Sequence, residues 1–512
     1  MPSARDPAQW VEEAASNPQR VFLQTPQGKK YSYGELEQRS AYLAAVLVDR
    51  GVQSGDRVLV QVEKSLDAIV LYVACLRAGA VFVPINTANT ANEVEYFLRD
   101  SQPRVVVLQP QDHALIEPLA RQAGVQHVET LGTSGDGSLL NSGARAAADF
   151  KNPLLDGSSL AVIVYTSGTT GRSKGAMLTR ANLASNAAVL SRAWRFNSDD
   201  VLLHTLPLFH IHGLFAAINT VLASASSLIL LPKFDAALTL EHLAAATVYM
   251  GVPTHYTRLL QQPGLDKSAT ATVRLFVSGS APLLAETHQE FLRRTGHVIL
   301  ERYGMSETLM NTSNPYDGVR LPGSVGPPLE GTDIRVTHAD SGAVETEPDA
   351  IGTLQVKGPN VFAGYWRDEQ KTRAEFTSDG WFKTGDVGRI DRNGYVHIVG
   401  RAKDLVISGG YNVYPKEVET ELDAVAGVQE SAVFGVPHPD FGEGVTAAVV
   451  AKPGAILSES AILDAVKTRL ARYKVPKRIL LVEELPRNTM GKVQKNALRK
   501  TYAALYAAAP NG

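Results

Sequence analysis

The strongest constraint on this chain's fold is a rhythm. Through the first 400 residues, short runs rich in Val, Ile and Leu alternate with helical patterns. The runs lie at Arg57–Val62, Ala80–Pro84, Val105–Leu108, Leu160–Tyr165, Leu228–Leu231 and Arg274–Val277. Between the first two, an apolar helix is predicted over 66–78 and stops at Gly79. Earlier, Leu36, Leu43, Val46 and Leu47 share a helical face that ends at Gly51. Strand–helix–strand order of this kind builds a parallel sheet covered by helices, so the class is α/β. The Gly- and Ser-rich stretch Gly132–Gly143 reads as a surface loop.

The pattern changes near residue 400. A strand at Tyr395–Val399 runs into the charged connector Gly400–Asp404. Beyond it come a helix at Pro415–Val425, strands at Gln429–Val436 and Val445–Ala451, and a helix at Glu459–Leu470. The expected organisation is a large multi-layer α/β domain over 1–400 and a small, mobile α+β domain over 401–512. A small lid on a large body implies a cleft that opens and closes.

Composition narrows the function classes. With 512 residues, 44% hydrophobic and 20% charged, a large core is available and global disorder is excluded. Lys plus Arg number 50 against 52 Asp plus Glu, which gives no general basic excess for nucleic acid or a membrane surface. The lone Cys75 excludes an internal disulfide and a cysteine-rich metal site, and its apolar neighbours place it in the core. No apolar stretch reaches the ~18 residues of a membrane span. The N-terminus carries Asp6, Glu12 and Glu13 and no apolar signal core, so a cytoplasmic location is expected.

Four clusters carry chemistry. Tyr165–Gly175 runs from an apolar strand into Thr166, Ser167, Gly168, Thr169, Thr170 and Gly171, followed by Lys174. Glycines admit backbone N–H groups to phosphate oxygens, hydroxyls donate to them and lysine adds charge. Lys174 follows Gly171 by three positions and precedes a glycine, so the Walker spacing is absent and a P-loop kinase or GTPase is disfavoured. Glu301–Thr308 offers Glu307 as an oxygen ligand for Mg²⁺. Gly380–Asp386 ends on a carboxylate suited to a ribose diol, and Pro486–Lys495 puts Lys492 on a Gly-containing loop able to meet a reacting phosphate.

Together and in this order, the four clusters resemble the acyl-adenylate-forming superfamily of acyl-CoA synthetases, firefly-type luciferases and peptide-synthetase adenylation domains. The resemblance spans nearly the whole chain. It implies ATP and CoA as cosubstrates and Mg²⁺ as cofactor. Residues Thr166–Gly171 and Lys174 would wrap the phosphates, Glu307 would bind the metal, and Asp386 with Arg401 would hold the ribose. Ser280, Ala281, Pro282 and Tyr303 would frame the adenine, with Gly304, Met305 and Ser306 completing the nucleotide site. Lys492 matches the lysine that promotes adenylation, Lys403 the hinge, and Ser408, Gly409, Gly410 and Tyr411 the face presented to the pantetheine arm. Two departures stand out: Ser173 where the family usually has Pro, and Ser306 where it usually has Thr. Neither removes a functional group.

The acid is narrowed by the segments Pro207–Gly213, Pro232–Asp235, Gly251–Arg258, Ser278–Leu284 and Leu309–Gly323, which look like the malonyl-CoA synthetase branch. A diacid leaves one carboxylate unreacted in the pocket, where a cation must meet it. Arg320 is the expected partner because guanidinium grips carboxylate through two hydrogen bonds, with Arg258, Ser278 and His210 as helpers; His210 is also grouped with the catalytic Lys492 and Glu307. The expected activity is ATP-dependent ligation of malonate to CoA, with methylmalonate also accepted and another short- or medium-chain acid as the alternative. The expected partners are these small molecules, with no nucleic acid and no membrane, and a lysine acetyltransferase or deacetylase acting on Lys492.

Overall fold

The computed structural model describes residues 6–141, 150–166, 173–338, 341–409, 411–488 and 491–507. It divides into two compact units, Met1–Asp333 with Val356–Phe382, and Ile334–Gln355 with Lys383–Gly512. Asp386 and Arg401 therefore fall together in the second unit, whereas the sequence places the boundary after residue 400.

The first unit holds two largely parallel sheets, as the alternation predicts. In one, Leu309–Ser313, Leu300–Met305, Leu275–Ser278, Val248–Gly251, Val201–His204, Ser227–Leu230, Val21–Gln24 and Lys30–Ser32 lie side by side, antiparallel only at the two edges. In the other, Arg57–Gln61 sits between Val81–Pro84 and Val105–Leu108, with His127–Thr130 at one edge. Leu160–Thr166 continues this sheet and turns back antiparallel into Lys174–Thr179. That hairpin was not foreseen, because the run after the Ser/Thr/Gly loop is short and lacks alternation.

Local chemistry explains the helices. Leu66–Ala78 starts where the Ser65 hydroxyl accepts the Ala68 N–H and ends at Gly79 in the left-handed region. Nearly every side chain of that helix is buried, Cys75 included. No helix among the described residues is long and apolar enough to cross a membrane.

In the second unit, Asp333–Thr337, Gly352–Lys357, Phe382–Ile390 and Val396–Arg401 form one sheet. A second, built around Val428–His438 and Gly442–Ala451, is covered on one face by the helices Pro415–Asp423 and Glu459–Lys467. The other face packs against Leu498 of the helix Lys495–Thr501. This is the α+β pattern expected from the sequence beyond residue 400.

Candidate active site

Three neighbouring parallel strands of the eight-stranded sheet end at His204, Gly251 and Ser278. Ligands of open α/β sheets gather at such carboxyl ends. Two chain irregularities lie close by. Just beyond the strand ending at Ser278, Ser280 takes φ +72°, a left-handed conformation that non-glycine residues rarely adopt. After Pro207–His210 the chain enters a seven-residue π-helix, His212–Ile218, a form common at functional sites. Gly213 is required in it, since a Cβ would stand 2.0 Å from the Pro207 carbonyl oxygen.

Arg302 is the unexpected member of this region. It lies on Leu300–Met305, is only 3% exposed, and its Nε and Nη2 have no hydrogen-bond partner among the described residues. Its guanidinium lies against the backbone of Gly279, where a Cβ would come within 2.5 Å of Cζ. Burial pushes its pKa down to about 9, which leaves it a cation at neutral pH. His212 is buried nearby, its pKa driven well down by burial and by the Arg302 charge, so the ring is neutral. His212 Nδ1 lies 3.3 Å from the Ser280 hydroxyl, and its Nε2 is without a partner among the described residues. A buried cation beside a neutral imidazole and a strained serine lacks one thing, an anion.

The expected carboxylate partner, Arg320, is engaged elsewhere. Its guanidinium donates to the carbonyls of Val298 at 2.7 Å, Tyr316 at 2.9 Å and Pro315 at 3.2 Å. That fork ties a loop to the segment before the strand Leu300–Met305 and spends three of the five guanidinium N–H groups on the chain's own backbone. Ser278 is buried, but its partner in register is Glu301, so its side chain shares the Glu301 face and not that of Arg302. Arg258 is exposed on the helix Pro253–Leu260. His210 is half-buried, and its Nδ1 accepts the His212 N–H at 3.3 Å. Sequence offered one sign of Arg302, a cation two positions after the apolar Val298–Leu300.

A second corner of the same unit joins two of the motifs. Tyr365 donates its hydroxyl to Glu307 at 3.1 Å, and the Lys174 ammonium stands 5.6 Å from the Tyr365 ring centre. Lys174 has its pKa lowered by partial burial and by Lys371. Glu307 is buried, so a carboxylate and a lysine from segments far apart in sequence meet on one tyrosine. Residues Ser167–Gly171 lie outside the described residues, while Thr166 pairs in register with Lys174. Tyr303, Gly304, Met305 and Ser306 lead along the strand and turn to Glu307, half-buried, and Ala281 and Pro282 follow Ser280 at the surface edge.

In the second unit, Asp386 and Arg401 are directly opposite across an antiparallel pair, with Arg401 Nε donating to Asp386 Oδ1 at 2.6 Å. Lys403 is exposed in the short turn Ala402–Asp404. Ser408 and Tyr411 pair across the next hairpin, where Ser408 is buried, Gly409 takes φ +59° and Tyr411 stacks on Tyr473; Gly410 lies outside the described residues. Lys492 is exposed on the hairpin between Arg487 and Val493.

Comparison with known proteins gives the family. Residues 10–366 match the family described as AMP-binding enzyme, and residues 417–492 match the AMP-binding enzyme C-terminal domain. A Bos taurus protein named as a mitochondrial malonate–CoA ligase is 36% identical, over 93% of this chain and 89% of its own. A Bacillus subtilis (strain 168) long-chain-fatty-acid–CoA ligase is 35% identical, over 92% of this chain and 90% of its own. Among solved structures, ATP-bound MatB from Rhodopseudomonas palustris is 54% identical and superposes with a TM-score of 0.95, covering 98% of this chain and 100% of that one.

Proposed function

The chain belongs to the AMP-binding enzyme family, and from that premise we propose that it is an ATP-dependent malonate–CoA ligase producing malonyl-CoA, AMP and diphosphate. Relatives named for malonate and for long-chain acids match at nearly equal identity, so the acid must be argued from the pocket. The observation that carries the choice is Arg302, a buried guanidinium whose Nε and Nη2 find no partner among the described residues, near Ser280 and neutral His212. The free carboxylate of malonate would neutralise it. A long alkyl tail would leave the charge buried and unpaired, which penalises fatty acids. Methylmalonate adds one methyl, worth only ~1–3 kcal/mol, and is accepted as well.

The reaction has two steps. A carboxylate oxygen of malonate bonds to the α-phosphorus of ATP while the bond to diphosphate breaks, giving malonyl-AMP. The CoA sulfur then bonds to the acyl carbon, AMP leaves, and the thiol proton passes to solvent. In the first step two anions must approach, and Lys174 and Lys492 offset their repulsion. Glu307, a buried carboxylate that meets Lys174 on Tyr365, would hold a Mg²⁺ brought by the nucleotide. Bound there, the metal would supply further charge neutralisation. Asp386, aligned by Arg401, accepts from the ribose hydroxyls.

For the second step the small domain would pivot near Lys403, withdrawing Lys492 and presenting the Ser408–Tyr411 hairpin to the pantetheine arm. Acetylation of Lys492 by a lysine acetyltransferase, reversed by a deacetylase, would remove its charge and silence the first step.

Initial rates of thioester formation with malonate, methylmalonate, acetate and octanoate test the assignment. Malonate should be preferred. Equal turnover of acetate or octanoate would leave Arg302 without its ligand and return the reading to a ligase for a simple short- or medium-chain acid.

A further inference from the structure

We propose that Glu430 and Arg487 are positioning residues for acyl-adenylate formation, acting through the hairpin that carries Lys492. The inference rests on the role given above to Lys492.

The hairpin is short and closed on itself. The Gln494 N–H donates to the Pro486 carbonyl at 2.7 Å, and the Asn488 N–H to the Lys492 carbonyl at 2.9 Å. The Asn488 side-chain oxygen accepts the Lys492 N–H at 2.9 Å. These bonds shape the turn, but they do not fix it to the rest of the unit. Arg487 does. Its Nη1 donates to the carbonyl of Gly491, the residue before Lys492, at 2.6 Å. Its Nη2 pairs with Glu430, on the strand Val428–His438. One planar fork thus couples the backbone beside Lys492 to the central sheet, which a lysine could not do with the same geometry. The other foot is held by Lys495, paired at 2.6 Å with Glu419, which also accepts the Val433 N–H at 2.9 Å.

Both Arg487 and Glu430 remain partly exposed, so their attraction adds little to folding stability. What they supply is position. A reacting group displaced by about 1 Å can lose on the order of 10²-fold in rate. A long lysine side chain on a loose hairpin would be displaced by more.

Malonate-dependent ATP–pyrophosphate exchange reads the first half-reaction, and thioester formation from supplied malonyl-AMP reads the second. Glu430→Gln and Arg487→Met should each lower exchange by about 10–100-fold. Thioester formation should hold within about twofold, with thermal unfolding unchanged. In a Lys492→Ala background neither substitution should lower exchange further, because the path to the phosphate is already cut. Unchanged exchange, an equal fall in both half-reactions, or an additive loss in the Lys492→Ala background would each overturn the proposal. Full exchange by Lys492→Ala itself would sink the underlying role of Lys492, a result separable from the others.

Discussion

Arg302 is buried where none of the described residues offers it a carboxylate, and a charge held this way destabilises the fold that contains it. Such a residue persists where a ligand completes it. Arg302→Met should therefore cut malonate adenylation by at least ~10²-fold, the scale for losing one partner of a desolvated charge pair. The same substitution should leave the melting temperature unchanged or raise it, because an uncompensated buried charge disappears. Arg320 should behave oppositely. Arg320→Met strands the carbonyls of Pro315 and Tyr316 on one loop and of Val298 beside the sheet, and should cost about 1–3 kcal/mol in urea unfolding, while the preference for malonate over acetate survives. Should the acid preference collapse with Arg320 and not with Arg302, the two roles assigned here would be exchanged.

At the scale of elements, the strands and helices follow from the periodicity, but their turns hold the chemistry. The helix Leu66–Ala78 was legible because apolar residues, a serine cap and a terminal glycine all agree. The π-helix His212–Ile218 was not, since nothing in His-Gly-Leu-Phe-Ala-Ala-Ile separates a π-turn from an α-turn. The helix Pro415–Asp423 carries a testable charge at its end. Burial raises the Asp423 pKa from 3.8 to about 6, despite Lys416 and a 2.7 Å hydrogen bond donated by Ser431. Glu419 and Glu430 push it the same way as burial. Because the folded state holds this proton more tightly than the unfolded chain, its stabilisation is full below about pH 4 and fades as pH rises through about 6. Asp423→Asn keeps the group neutral. The melting temperature of the variant relative to the parent should climb across that interval and be level above pH 7.

For the molecule as a whole, two compact units fit a reaction whose halves need different groups at one acyl centre. Proline fixes φ near −65°, so Lys403→Pro should stiffen the proposed pivot. Pyrophosphate exchange should be retained and thioester formation from malonyl-AMP should drop by tenfold or more, on the order of other hinge lesions. Lys492→Ala should give the mirror image, and rapid-quench assays of the two half-reactions distinguish them.

The order of elements, the α/β class of the first unit and the motifs bearing Lys174, Glu307, Asp386, Arg401 and Lys492 were written in the sequence, because hydrophobic period and turn residues act locally. The choice between Arg302 and Arg320 was not. Both are arginines close to apolar runs, and which one is sealed in without a partner depends on strand register, on the missing Cβ at Gly279 and on which carbonyls the loop after Pro315 happens to expose. Those are contacts between segments distant in sequence, and only the folded chain brings them together.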